Sequence, residues 1–196
     1  MKIRLSLAVL AISMPLASVA APESYTFDPP HTVPAFSLDY LGFMTIRGRF
    51  EKASGKFTID RVAKTGSLDY VIDTTSVSTG DVDRGSRPRT RDEHLKTPDF
   101  FNVAEFPRMT FKASNVKFTS DFPAELQGEL TMLGVTKPVT LKVERWKCGA
   151  HPFNKRETCG GDVVGKVKRS EFGMKYGIPA ISDEITLNLP FLSYKD

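Results

Sequence analysis

Apolar and polar residues alternate with a period of two along most of this sequence, and this pattern limits the folds open to it. Residues 36–40 and 44–50 show it first, and residues 126–132, 139–143 and 185–191 repeat it. Successive side chains of a β-strand point to opposite faces, so each such segment predicts a half-buried strand. The chain has about eight or nine of them, enough for an antiparallel barrel to close. We therefore predict an all-β fold: an antiparallel β-barrel of about eight strands with a short helix.

Glycines and one polar stretch interrupt the alternation. Gly42 and Gly134 each lie between two alternating segments and predict tight hairpin turns. Residues 79–91 are rich in Gly, Asp and Arg and predict a loop. Residues 91–95 are helix formers, and Pro98 limits how far that helix extends. Aromatic residues follow it, so we expect the short helix to pack on or over one end of the barrel.

The N-terminus has the organisation of a cleaved export signal. A basic start and an apolar run over residues 5–16 precede small residues that predict cleavage after Ala20. The apolar run is too short to cross about 30 Å of hydrocarbon, which needs about 20 residues. We therefore predict a signal peptide over residues 1–20 and one β-barrel domain over residues 21–196, secreted into a periplasm.

The chain has two cysteines, Cys148 and Cys159, which lie close together in sequence. A disulfide is the favoured interpretation, because the predicted compartment is oxidising. The alternatives are two reduced thiols, or an incomplete metal site with His151, which lies between them. A structural zinc site needs four ligands, and the sequence offers no fourth.

The charge balance disfavours nucleic acid as a partner. The chain has 27 Lys and Arg against 23 Asp and Glu, a net charge of +4, and the predicted leader contains two of the basic residues. A nucleic-acid-binding protein usually has a much stronger basic bias. The small positive charge is compatible with transient attraction to a membrane surface, and the sequence is compatible with a homodimer.

Residues with catalytic potential are sparse. His31, His94 and His151 are scattered, and no metalloprotease, nucleophile-elbow, P-loop or dinucleotide-binding pattern occurs. His31 and His94 could meet in the fold, but a structural hydrogen-bonding role is the more common one for histidine. We therefore predict a protein that is not an enzyme and has no metal site or covalent cofactor. The alternative is an enzyme acting on a lipid or a stress metabolite.

One basic cluster lies in and beside the predicted loop ahead of the helix. It could hold a diphosphate or another anionic headgroup through bidentate contacts. Runs of charge are more often solvated, and nearby aspartates would partly neutralise this one. We favour the solvated interpretation for its four members, which are Arg84, Arg87, Arg89 and Arg91.

Six segments carry a resemblance to a known family. In chain order they are DPPH at 28–31, Leu-Gly at 41–42, RDEHLKTPDFF at 91–101, LTMLGVTKPV at 130–139, RSEFGM at 169–174 and SDEI at 182–185. They resemble the signature of the YceI-like polyisoprenoid-binding family, and the resemblance covers essentially the whole predicted mature chain. It implies an elongated, lipocalin-like barrel, with no catalysis established for the family as a class.

The resemblance makes the barrel interior the expected ligand site. The ligand it implies is a long polyisoprenoid lipid or an isoprenoid quinone. Many members have a histidine where this chain has Tyr40, whose hydroxyl is uncharged near neutral pH. The inward apolar residues fit either a packed core or a tunnel. The predicted ligand-binding residues are Phe36, Leu38, Tyr40, Met44, Ile46, Phe50, His94, Leu95, Phe100, Phe101, Met109, Phe111, Phe172 and Met174.

Overall fold

Eleven β-strands and one α-helix occur in the residues that the computed structural model describes, 21–119 and 122–196. The predicted signal peptide lies outside these residues. The elements are β1 (Glu23–Phe27), β2 (Ala35–Tyr40), β3 (Met44–Phe50), β4 (Ala53–Asp60), β5 (Thr65–Asp73), β6 (Val77–Ser78), α1 (Arg91–Leu95), β7 (Arg108–Phe118), β8 (Pro123–Met132), β9 (Val135–Ala150), β10 (Glu157–Lys168) and β11 (Glu184–Lys195).

Eight of the strands close into one antiparallel barrel. Around the ring they follow the order β1, β4, β5, β7, β8, β9, β10 and β11, and β11 pairs back onto β1. The other three strands extend the first three strands of this ring beyond a bend: β2 extends β1, β3 extends β4, and β6 extends β5. β2 pairs with the N-terminal half of β11, β3 pairs with β2, and β6 pairs with β3. The predicted fold class is therefore confirmed.

Prolines account for the first of these bends. Pro29 opens a short 3₁₀ segment, Pro29–His31, and Pro34 precedes β2. Because proline lacks a backbone N–H, a regular strand ladder does not continue through this stretch. A second 3₁₀ segment, Thr74–Ser76, separates β5 from β6. At these places in the barrel wall, one long strand is therefore replaced by two shorter strands that follow each other.

Both predicted glycine turns are tight hairpin turns: Gly134 lies in a two-residue turn between the paired Met132 and Val135, and Gly42 lies in a three-residue turn between the paired Tyr40 and Met44. Leu41 and Gly42 have φ of 59° and 71°, and Leu133 and Gly134 have φ of 52° and 73°. Left-handed values at both central residues define a type I′ turn, whose twist matches that of antiparallel strands. Glycine adopts such a value without steric cost, which explains its place at the second position of each turn.

The helix α1 occupies the five residues predicted for it. Thr90 caps it: the Thr90 hydroxyl accepts a hydrogen bond from Glu93 N at 3.0 Å, and the Glu93 carboxylate accepts one from Thr90 N at 2.7 Å. After the helix, Phe101 packs edge-on against Phe50, with ring centroids 5.3 Å apart. The His94 ring also contacts Tyr176, in the segment between β10 and β11, with centroids 5.0 Å apart. We call this end of the barrel, where β10 ends and β11 begins, the helix end.

A disulfide lies at the opposite end. β9 begins beside the Gly134 turn, where the Phe106 ring lies close to the backbone, and runs away from the helix end. Cys148 on β9 and Cys159 on β10 are directly paired, with Cα atoms 4.1 Å apart, and form the bond. The predicted disulfide is therefore confirmed, and we call this end the disulfide end.

Candidate functional site

The inward faces of the strands enclose a large apolar cavity. Leu95 and Phe101 line it at the helix end, and Trp146 and Phe191 line it at the disulfide end. The volume of the cavity is about 180 Å³, whereas one water molecule needs about 10–15 Å³ on the same measure. Close-packed cores leave few voids larger than one water molecule. The interior is therefore hollow rather than filled.

Nine of the predicted ligand-binding residues line this cavity. The strands β2, β3 and β7 contribute members at alternate positions, as the pleat requires of an inward face. The others come from α1, from the segment after it and from the segment that follows β10. The nine are Phe36, Leu38, Phe50, Leu95, Phe100, Phe101, Met109, Phe111 and Met174.

Three predicted residues near the β2–β3 hairpin lie outside the cavity lining. Met44 is 54% exposed, because it stands next to the hairpin turn. Tyr40 forms an antiparallel bridge with Ile181 at the same edge. Ile46 is buried, at 8% exposure, but does not reach the cavity. Alternation identifies the face of a strand, but it does not tell how far along the barrel the cavity extends.

The other two predicted residues outside the lining support it from behind. The His94 ring packs against Phe100, which lines the cavity, with centroids 4.9 Å apart. His94 Nε2 lies 2.7 Å from an Asp99 carboxylate oxygen, and this hydrogen bond lowers the pKa of the Asp99 carboxyl. His94, held by Asp99, therefore positions Phe100. Phe172 is 1% exposed and belongs to the hydrophobic core.

Arg169 is the one cationic side chain among the described residues that line the cavity. Its Nε donates to Ser182 O at 2.9 Å, and its other two nitrogens donate to Met174 O at 3.2 Å and Ile181 O at 2.8 Å. Burial lowers the pKa of the guanidinium. These bonds fix the segment around residue 182 against the end of β10. They also explain why the resembling RSEFGM and SDEI motifs lie together in the fold.

Sequence reasoning missed Trp146, and a β-bulge explains why. Arg145 pairs with Asp162, but the next pair joins Val143 to Val163, so Glu144 is an extra residue in β9. Such a bulge shifts which residues face inward. The apolar residues at 139, 141 and 143 have odd numbers, whereas Trp146 has an even number. In the sequence, this change from odd to even positions is the sign of an extra residue in the strand.

The basic cluster of Arg84, Arg87, Arg89 and Arg91 makes its contacts within its own region. Arg87 holds Asp81 through two contacts of 2.8 Å, and this pairing lowers the pKa of the Asp81 carboxyl. Arg91 donates to the Thr79 hydroxyl at 3.2 Å. None of the four lines the cavity. This arrangement is that of a solvated, internally neutralised loop.

The structure offers little that resembles a catalytic or metal centre. His31 pairs with Asp28 and His94 pairs with Asp99, so the two histidines have separate carboxylate partners. Across residues 21–119 and 122–196, no three His, Cys, Asp or Glu side chains are grouped so as to hold a metal ion. In the same two ranges, no α-helix has the length and apolar character needed to span a bilayer.

The fold and the cavity together define a class of protein: an antiparallel barrel, closed on itself and hollow, with an apolar interior. The YceI-like domain family matches residues 25–191 of the chain. The chain belongs to this family, which confirms the resemblance noted in the sequence.

Individual relatives agree with this assignment. Protein YceI of Escherichia coli is 32% identical over 172 residues, covering 87% of this chain and 85% of that protein. The crystal structure of Burkholderia cenocepacia BcnA superposes with a TM-score of 0.66 at 23% identity, covering 85% of this chain and 98% of that one. A polyisoprenoid binding domain from Saccharophagus degradans superposes with a TM-score of 0.62 at 18% identity, covering 88% and 98%. At these identities the two structures establish the shared fold.

Proposed function

We propose that the protein binds one long polyisoprenoid lipid, or the tail of an isoprenoid quinone, inside the barrel and does not react with it. The hollow apolar cavity carries this proposal, because an apolar cavity stays dry and favours a hydrocarbon. The Saccharophagus degradans domain, which shares the fold, is a polyisoprenoid binding domain. The nine lining residues named above would contact the ligand directly, with His94 and Phe172 supporting them.

The energetics select a long tail. One isoprene unit buries about 100 Å², or about 2.5 kcal/mol at about 25 cal/mol per Å². Association itself costs about 4–15 kcal/mol in lost translational and rotational freedom. One unit therefore does not bind measurably, and several units must enter the cavity together.

Binding rather than catalysis fits the polar groups of the cavity wall. The Tyr70 hydroxyl donates to Thr32 O at 3.4 Å, and burial raises the pKa of Tyr70. The Arg169 nitrogens are occupied by backbone carbonyls. Proton transfer needs a group of suitable pKa within hydrogen-bond reach of the substrate. An enzyme acting on a lipid or a stress metabolite is the competing proposal, and it predicts turnover of the bound lipid.

The proposal includes export to a periplasm with cleavage after Ala20. It is tested by purifying the protein from the periplasm of its own cells and recording native mass spectra. We expect the mass of residues 21–196 with one lipid bound, and an intact isoprenoid after organic extraction. A protein that carries no lipid under these conditions, or that releases a chemically altered one, would contradict the proposal.

We also propose transient contact between the helix end and an anionic membrane surface. The β2–β3 hairpin exposes Leu41, Phe43 and Met44, with Phe43 at 90%. Arg47 is exposed on the adjoining strand β3, whereas Arg49, farther along that strand, is paired with Glu51 at 2.8 Å. Basic residues near such a surface contribute about 1 kcal/mol each. The apolar tip and the charge therefore act at the same place.

Vesicle co-flotation tests this contact, with Phe153 as a matched control. Phe153 is 89% exposed, but it lies in the β9–β10 turn at the disulfide end. We expect Phe43→Ser to reduce flotation with phosphatidylglycerol vesicles, and Phe153→Ser to leave it unchanged. Equal effects of the two substitutions, or no difference between anionic and neutral vesicles, would contradict the contact.

A further inference from the structure

Two neighbouring strands of the barrel separate towards the disulfide end. The pairing of β5 with β7 ends at Leu68 and Ala113. Beyond that point β7 continues beside β8 alone, and the start of β5 lies beside β4 alone. A register shift directly after Ala113 marks an extra residue in β7, and such a bulge bends its strand. In the described chain, residues 65–67 of β5 and 116–118 of β7 are therefore not paired with each other.

Side chains, rather than a strand ladder, fill this opening. A Cβ added to Gly66 would lie 3.3 Å from Val116 Cγ2, so the Val116 side chain lies against the backbone of β5. Farther out, Lys64 Nζ lies 6.0 Å from the centre of the Phe118 ring, at the limit of a cation–π contact. We call the opening between Gly66 and Val116 the β5–β7 gap. It can widen by movement of side chains, without the loss of a ladder hydrogen bond.

The cavity reaches the outer face of the barrel at this gap. Gly66 and Val116 both line the cavity, and so do Thr58 and Ser67 beside them. Thr58 and Ser67 are exposed, and their hydroxyl oxygens lie 2.7 Å apart on the outer face. Of the described residues that line the cavity, one other is exposed, Pro190.

The other interruptions of the barrel wall are covered. At Pro190 the ladder between β10 and β11 is continuous, and on the other side of β11 Asp28 N donates to Leu192 O at 2.8 Å. β9 and β10 also separate, towards the helix end. There the 3₁₀ segment Arg169–Phe172 follows β10 and packs against β9. The β5–β7 gap is covered by side chains alone.

We propose that the β5–β7 gap is the portal through which the lipid enters and leaves the cavity. The lipid then passes sideways through the barrel wall, and neither the helix end nor the disulfide has to open. The moving parts are the Val116 side chain and the contact between Lys64 and Phe118, and local openings of this kind need far less free energy than unfolding. This inference rests on the proposed lipid-binding function and adds the route by which the ligand exchanges.

Exchange rates test the portal. A side chain that only obstructs the route changes uptake and release by the same factor and leaves the dissociation constant unchanged, because that constant is the ratio of the two rates. The probe is a ubiquinone with four isoprene units, detected by its quenching of Trp146, the one tryptophan of the chain, which lines the cavity. Uptake is followed by stopped flow with delipidated protein, and release by dilution into empty phosphatidylcholine vesicles.

Substitutions of Val116 should move both rates together. Val116→Phe should slow uptake and release about tenfold each, Val116→Ala should accelerate both, and the dissociation constant should stay within about threefold. The matched control is Val163→Phe, because Val163 lines the cavity but is paired on both sides, with Val143 and Leu189. It should weaken binding through faster release, with uptake unchanged.

An exposed variant keeps the test independent of packing. Lys64→Gln removes the cation over the Phe118 ring and should accelerate uptake and release about two- to fivefold. If Val116→Phe changes the affinity without slowing uptake, or if Val163→Phe slows uptake as much, the portal lies elsewhere and the inference is overturned. If the quinone does not quench Trp146 in the wild-type protein at any concentration, the proposed function itself fails.

Discussion

Filling the cavity from its wall should separate a hollow barrel from a packed one, and Leu187 is the position to change. Leu187 lies on β11 between Gly165 on β10 and Phe36 on β2, and it lines the cavity. In Leu187→Trp the larger side chain has space to enter. The matched control is Ile46→Trp, because Ile46 is buried but lies outside the cavity lining.

The two variants should differ in both stability and ligand affinity. Overpacking a filled region costs about 1–3 kcal/mol, so Ile46→Trp should lower the melting temperature by about 2–12 °C. Leu187→Trp should change the melting temperature of the lipid-free protein little. It should instead displace about one isoprene unit, worth about 2.5 kcal/mol, and weaken binding about 70-fold.

The assay pairs thermal unfolding of delipidated protein with lipid content by mass spectrometry after purification under identical conditions. Ile46→Trp should be less stable but should retain its lipid, and Leu187→Trp should show the reverse. If Leu187→Trp loses as much stability as Ile46→Trp and wild-type protein contains no lipid, the interior is a packed core and the reasoning is refuted.

Three further predictions concern the supporting structure. Replacing Cys148 and Cys159 by alanine should lower the free energy of unfolding by about 3 kcal/mol in the chain-entropy model, and an unchanged urea midpoint would contradict this. A hydrogen bond from Lys195, aided by neighbouring donors, lowers the pKa of Glu23 to about 2. The stability it contributes is therefore present above about pH 4.3 and is lost as the pH falls towards 2; the difference in melting temperature between wild type and Glu23→Gln should shrink over that window, and a constant difference would refute the pairing. Lipid content, measured by mass spectrometry, should survive glutamine substitution of the basic cluster, and its complete loss from a folded variant would indicate a headgroup clamp; the positions are Arg84, Arg87, Arg89 and Arg91.

Local patterns were sufficient to predict most of the fold. Alternation locates strands because the pleat has a strict period of two, and glycine locates turns because the backbone there needs left-handed values. Gly42 and Gly134 both do so, and the short helix over 91–95 begins at a Thr90 cap and ends before Pro98. These are properties of a few neighbouring residues, so they are visible in a single sequence.

Features that depend on distant partners were not predicted. In the first part of the barrel wall, two short strands replace one long strand, as β1 and β2 do. This division depends on the neighbouring strand, since β1 and β2 pair with different parts of β11. The inward placement of Trp146 depends on an extra residue opposite β10. For Met44, alternation gave the face, but its exposure follows from where the hairpin ends. Register and depth are tertiary quantities, and no local pattern encodes them.

A barrel that keeps such a cavity must be held at its ends. At about 24 cal/mol per Å³, an empty volume of about 180 Å³ costs about 4 kcal/mol. Domains are stable by only about 5–15 kcal/mol, so this is a large fraction. At the helix end Arg169 fixes the segment around residue 182 through three backbone carbonyls, and at the other end the disulfide joins β9 to β10. Because these ends are stabilised by polar and covalent contacts, the apolar middle is free to remain unfilled until a ligand enters. Ligand binding should then stabilise the fold by mass action, so the lipid-bound protein should melt above the delipidated one.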